Sequence, residues 1–247
     1  MDRLIHTSLT ALRAAQVRQQ VTANNLANAS TTGFRAEIAS ATALWAKGPG
    51  LPDRAYASEE VRGADMRAGS IVPTGQPLDV AMRGDALLAV QAENGDEGYT
   101  RRGDLKLDPS GILTTGDGRP VLGENGPVSL PPTDTVRIGV QGQIWVVPEG
   151  GDPQAPQLID RLKLASPQGS VIVKHEDGLF RVRDGGVLPT DPDARLTSES
   201  LEGSNVNSSL ALVEMIEASR SWDAQVKLLT TARDIDSATT NLMRLPS

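Results

Sequence analysis

Cysteine is absent from the 247-residue sequence, which excludes disulfide frameworks and thiolate zinc sites. Aromatic residues make up only 3%, although ligand pockets and large interfaces usually lean on them. Ala, Gly, Ser and Thr are abundant instead, which suits close backbone packing better than a deep ligand pocket. Positive charge is in short supply as well. A net charge of -7 and a pI near 4.9 argue against nucleic acid or an anionic membrane as the main partner. Long apolar runs are missing too. The longest, Ala86–Val90, is far too short to cross a membrane, so direct membrane insertion is not expected. Met1–Gln20 mixes Asp2, Arg3, Arg13 and Arg18 among its apolar residues and lacks the apolar core of about 7–15 residues that a cleaved secretory signal needs. Taken alone, this describes a soluble cytoplasmic chain, unless export uses a route without a cleaved signal.

Catalytic constellations are equally scarce. The two histidines are His6, inside a terminal helical stretch, and His175, in Lys174-His175-Glu176-Asp177-Gly178. Adjacent side chains on a strand point to opposite faces, so the second cluster reads as a solvated hairpin tip and not as a metal or acid–base site. Gly69-Ser70 and Gly169-Ser170 lack the Gly-x-Ser-x-Gly elbow of serine hydrolases. Gly116-Asp117-Gly118 sits in a turn with no helix after it, so the dipole of a phosphate-binding loop is missing. No catalytic residue, cofactor or metal is expected, and neither is a small-molecule substrate or nucleic acid. The competing class, a carbohydrate-binding or hydrolytic β-domain acting as a monomer, would need a deep pocket with convergent polar groups.

What the sequence does contain is three hydropathy regimes. Residues 2–32 read as helix, with a heptad seam of Ile5, Leu9, Leu12, Gln16, Gln19, Ala23 and Leu26. Val17 and Val21 lie off that seam, so a second face is also apolar. Asn28, Ser30-Thr31-Thr32 and Gly33 mark the stop. Residues 34–70 read as a partly extended linker, broken by Gly48-Pro49-Gly50 and Pro52. From 71 to 200 the period becomes two, as in Leu78/Val80/Met82 and Val136/Ile138/Val140. Turn pairs punctuate it, among them Asn94-Gly95, Asp117-Gly118, Asn125-Gly126, Asp177-Gly178 and Asp184-Gly185. Short strands with regular turns predict an antiparallel sandwich or open barrel. Residues 208–245 return to helix, with Asn207 or Ser208 as N-cap. This stretch carries two seams on different sides: Leu212, Met215, Ser219, Trp222, Val226, Leu229, and then Leu228, Thr231, Ile235, Ala238, Leu242, Leu245. One partner helix cannot cover both, so several neighbours are expected, Leu228, Ile235 and Leu242 facing a different one from Leu212, Met215 and Trp222.

The segment Ala23-Asn24-Asn25-Leu26-Ala27-Asn28-Ala29-Ser30-Thr31-Thr32-Gly33-Phe34-Arg35 resembles the N-terminal signature of bacterial flagellar rod and hook proteins. Leu201-Glu202-Gly203-Ser204-Asn205-Val206-Asn207, with Met215-Ile216-Glu217-Ala218 and Arg220, resembles their C-terminal signature. Pro77-Leu78-Asp79-Val80-Ala81, Tyr99-Thr100-Arg101-Arg102-Gly103-Asp104-Leu105 and Asp117-Gly118-Arg119-Pro120-Val121-Leu122-Gly123 are similar to the family's central β segments. The likeness is nearest to the proximal-rod members, with distal-rod members as the alternative. The hook protein is set aside because it needs room for an extra outer domain.

The resemblance implies an α+β fold in which long N- and C-terminal helices pair as a coiled coil beside a central antiparallel all-β domain. The expected divisions are an N-terminal rod helix at 1–33 pairing with 207–247, a linker at 34–70, a β-domain at 71–200, and a C-terminal helix with its lead-in turn at 201–247. It also implies a non-enzymatic subunit of the rod, the drive shaft in the periplasm. Such a subunit transmits torque and lines the export channel with its terminal helices. It would be exported by the flagellar type III system without signal cleavage, and its partners would be neighbouring rod proteins and copies of itself. The residues expected at the assembly interface are Ile5, Leu9, Leu12, Asn24, Asn25, Leu26, Asn28 and Phe34 at one end. At the other they are Asn205, Leu212, Met215, Trp222, Val226, Leu228, Ile235 and Leu242.

Overall fold

The computed structural model describes residues 2–45 and 55–243. The chain divides into two compact units. One holds the segment ending at Ala27, then Glu37–Arg62, then everything from Asn207 onward. The other holds Asn28–Ala36 and Gly63–Val206.

In the first unit, helix α1 (Asp2–Ala27) packs on strand β1 (Glu37–Trp45) and on helix α2 (Ser208–Met243), while β1 hydrogen-bonds to strand β2 (Ala55–Ala64). α2 starts where Asn207 caps it. The Asn207 side-chain oxygen accepts from Leu210 N at 3.1 Å, satisfying one of the free N–H groups of a helix start, and its carbonyl accepts the first intrahelical bond, from Ala211 N at 2.9 Å. Residues 37–45 and 55–64, within the stretch read as linker, are strands. The breakers Gly48-Pro49-Gly50 and Pro52 lie outside the described residues.

The expected pair of long helices wound as a coiled coil is corrected here. α1 stops at Ala27 and has 26 residues against 36 in α2. The seam read for it is not its buried side. Leu9, Gln16, Gln19 and Ala23 are exposed, whereas Ala15, Val21 and Thr22 are buried. Among the described side chains of α2, Ala211 and Ala218 are buried, while Leu212, Val226, Leu228 and Ile235 stay open to solvent. The physical reason is side-chain size. Alanine and threonine let helix surfaces approach closely, and a seam diluted by Gln16 and Gln19 gains little from burial. Among the described residues, no long N-terminal helix with an interlocking apolar seam is formed.

The second unit is built of short strands, and all the pairings described between them are antiparallel. A five-stranded sheet runs in the order Leu164–Ala165, β5 (Leu87–Gln91), β6 (Glu97–Thr100), Phe180–Val182, Ile172–Lys174, where β3 (Ile71–Pro73) and β4 (Val80–Met82) precede these in the chain. A three-stranded sheet joins Thr133–Ile138, Gln143–Pro148 and Gln157–Arg161. β3 pairs with Ser200–Glu202, and β4 with Leu196–Ser198. The unbroken apolar run of β5 reflects burial on both faces. Leu88 and Val90 enter a core with Leu113, Val121, Ile144 and Leu162, while Leu87 and Ala89 enter a second core with Tyr99, Phe180 and Leu188. The fully buried Tyr99 hydroxyl accepts a hydrogen bond from Leu188 N. Burial pushes the pKa of that phenol up, and the nearby Glu97 carboxylate pushes it further.

Candidate assembly site

Three residues far apart in the sequence meet inside the second unit. Glu202, at the end of the strand paired with β3, is completely buried, as is Arg35, and Arg101 is nearly so. Arg35 Nη2 donates to Glu202 Oε1 at 2.6 Å, and Gly69 N donates to the same oxygen at 2.9 Å. Arg101 Nε donates to Oε2 at 2.9 Å. The rest of the Arg101 guanidinium is taken up by the carbonyls of Gly84, Ala86 and Met82. Desolvation pushes the Arg101 pKa down, and the Glu202 charge opposes that shift. Two guanidiniums against one carboxylate leave a buried excess of positive charge. Among the described residues, Arg35 Nε and Nη1 have no hydrogen-bond partner. Among the described residues, Glu202 is the carboxylate that ion-pairs with both buried guanidiniums.

Around this cluster the two segments that lead into the helices are fastened together. Gly33 N donates to the Glu202 carbonyl at 2.7 Å. Asn205 bridges three backbones: its Oδ1 accepts from Ala36 N at 2.7 Å, and its Nδ2 donates to the carbonyls of Asp65 at 2.7 Å and Arg67 at 2.9 Å. Lys174 Nζ lies 3.8 Å from the centre of the Phe34 ring and donates to the Arg35 carbonyl at 3.3 Å. Beside them, a hydrogen bond from the Arg67 side chain holds the Asp65 carboxyl below its usual pKa. Replacing Asn205 by alanine strands one donor and two acceptors, and a stability loss of about 2 kcal/mol is expected by urea titration.

Gly33 belongs to the same junction. Its φ is +67°, and an added Cβ would run into the backbone carbonyl of Arg101 and the nitrogen of Arg102. Gly33→Ala combines an unfavourable backbone conformation with a clash against main chain, neither of which a rotamer change can relieve. A destabilisation of about 3 kcal/mol is expected in the same titration.

The residues nominated from sequence fall into separate places. Asn25 works inside the first unit: its side-chain amide imitates a backbone pair, accepting from Glu37 N at 2.7 Å and donating to Glu37 O at 2.9 Å, and so pins β1 to α1. Asn28 accepts from Thr31 through both its side chain and its carbonyl, closing the turn after α1. Phe34 and Asn205 lie at the junction just described. Leu9, Leu212, Val226, Leu228 and Ile235 are exposed, and Leu12, Asn24, Leu26, Met215 and Trp222 are half-buried. The side chains of Ile5 and Leu242 lie outside those described. A cleft of about 490 Å³ between α1, β1 and α2 is bordered by Arg18, Glu37, Glu214 and Glu217. His175 sits in a turn where its N–H donates to Leu179 O and its carbonyl accepts from Gly178 N. Among the described residues no group of three or more metal-ligating side chains occurs, and no helix is long and apolar enough to cross a membrane.

Both signature segments and the central β strands match family models. Residues 5–35 match the flagella basal body rod protein model. Residues 81–146 match the flagellar hook protein FlgE/F/G D1 domain, and 197–242 the flagellar basal body rod FlgEFG protein C-terminal model. The flagellar basal-body rod protein FlgF of Escherichia coli is 40% identical over 240 residues, covering 95% of each chain. The chain belongs to the flagellar basal-body rod protein family. FlgF of Salmonella typhimurium is 38% identical over 99% of this chain and 100% of the relative. FlgG of Bacillus subtilis is more distant, at 29% over 99% of this chain and 100% of the relative. In this rod-family chain the Arg35–Glu202–Arg101 cluster joins the N-terminal signature, a central segment and the C-terminal signature. Sequence reasoning quoted all three residues but gave them no role. The available signal was an arginine in each of two motifs and a glutamate of opposite charge in the third.

Proposed function

We propose that this chain is a non-enzymatic structural subunit of the proximal part of the flagellar basal-body rod. The observation that carries this reading is the row of uncovered apolar side chains on α2, in a chain whose near full-length relatives are named as rod proteins. Leu212, Val226, Leu228 and Ile235 are each 39–66% exposed on one helix, a surface that calls for protein neighbours. Neighbouring rod proteins and further copies of this chain would cover it, with Leu228 and Ile235 meeting a different neighbour from Leu212. In that setting the terminal helices line the export channel and the β unit contacts neighbouring subunits. Many shallow contacts, each weak, resist shear together and carry torque.

Location follows from the same reading: the rod in the periplasm, reached through the flagellar type III apparatus without signal cleavage. The deciding experiment places a tagged full-length chain in a strain lacking the native gene and purifies its basal bodies. The tag is expected in the rod fraction, with swimming restored and the N-terminal Met1-Asp2 sequence retained. A motile strain whose basal bodies lack the tagged chain would overturn the proposal.

A further inference from the structure

The three-stranded sheet has one face in the core, through Ile138, Ile144 and Val146, and one face open. Strand register sets Arg137, Trp145 and Leu158 side by side on the open face, one from each strand. Arg137 is exposed, Trp145 is 38% exposed and Leu158 53%. In a chain with so few aromatics, an open tryptophan flanked by arginine and leucine has the composition of an interface anchor.

The same chain carries a surface of matching size and opposite charge. On the first turns of α2, Leu210, Val213, Glu214 and Glu217 are all exposed, and their i, i+3, i+4, i+7 spacing puts them on one side of the helix. Arg18 and Glu37 border this side and Arg220 follows Glu217 by one turn, so with Glu214 and Glu217 three carboxylates face two guanidiniums and the side stays net acidic. The row across the three strands is about 10 Å wide, and Leu210 to Glu217 rises about 10 Å. We infer that the open sheet face of one copy seats on the Leu210–Glu217 face of α2 in a second copy. Trp145 and Leu158 would meet Leu210 and Val213, and Arg137 would meet Glu217. Because the two surfaces differ, the contact is heterologous and propagates from copy to copy without closing into a two-fold pair. The inference rests on the rod-subunit reading and adds the surface and the partner to it.

The absence of native cysteine makes the test direct. Full-length chain carrying Leu158→Cys and Val213→Cys replaces the parent in cells, and isolated basal bodies are oxidised and run without reductant. A covalent dimer and longer ladder of this chain is expected, while either single variant stays monomeric. Arg137→Glu should lower the dimer yield about tenfold, and adding Glu217→Arg should restore it. No ladder, or an adduct of either cysteine with a different protein, overturns the self-contact and leaves the rod reading intact. Absence of the chain from the basal bodies overturns both.

Discussion

Glu202→Ala is expected to lower the stability of the β unit by about 4 kcal/mol, because it leaves the buried guanidiniums of Arg35 and Arg101 without their anion. The loss exceeds that of an ordinary ion pair for three reasons. Two cations are orphaned together, Gly69 N loses its acceptor, and the two arginines then repel each other with little water to screen them. With a denaturant slope of about 2 kcal/mol per M, the urea midpoint should fall by about 2 M. Glu202→Gln keeps the shape but sets an amide NH₂ against guanidinium donors, so it should recover only part of the loss. Arg67→Ala is the contrasting case. Its side chain is 87% exposed, and its removal should leave the urea midpoint close to that of the parent. A Glu202→Ala midpoint within about 0.3 M of the parent would show that the cluster is not what holds the junction.

The second large effect concerns assembly. Ile235→Asp should abolish swimming while leaving the urea midpoint of the soluble chain almost unmoved. Ile235 is 55% exposed and Leu228, two helical turns earlier on the same side, is 66% exposed. A charge there meets water in the free chain and costs little. In an assembled rod it would be forced into an apolar contact, where an unpaired carboxylate is heavily penalised. Swimming speed in soft agar and the urea midpoint together decide the matter. Normal motility, or a midpoint that drops with the substitution, would remove Ile235 from the contact surface.

Different layers of the molecule were legible in the sequence to different degrees, for identifiable reasons. Turn chemistry was plain. Gly95, Gly118, Gly126, Gly178 and Gly185 all turn at positive φ, where the Asn-Gly and Asp-Gly pairs led one to expect reversals. Helix positions were legible because Asn207 and the stop after Ala27 are local signals. The helix surfaces were not. A heptad search rewards leucine, yet the buried contacts of α1 and α2 use Ala15, Thr22, Ala211 and Ala218, whose value lies in being small. The strands Glu37–Trp45 and Ala55–Ala64 were hidden by breakers between them that say nothing about the flanks. The charged cluster was the hardest of all to read. Its partners stand 167 and 101 residues apart, and no periodicity links positions that only the folded sheet brings together.

The junction also bears on how this family can be recombined. Arg35 and Asn28–Ala36 come from one end of the chain, Glu202 and Asn205 from the other, and Arg101 from the middle. Between them they share a single carboxylate and a single amide. A chimera that takes one terminus from a relative and keeps the other would have to match both across that seam. Grafts are therefore expected to succeed when the two ends travel as a set with the β strands they grip, and to fail when either travels alone.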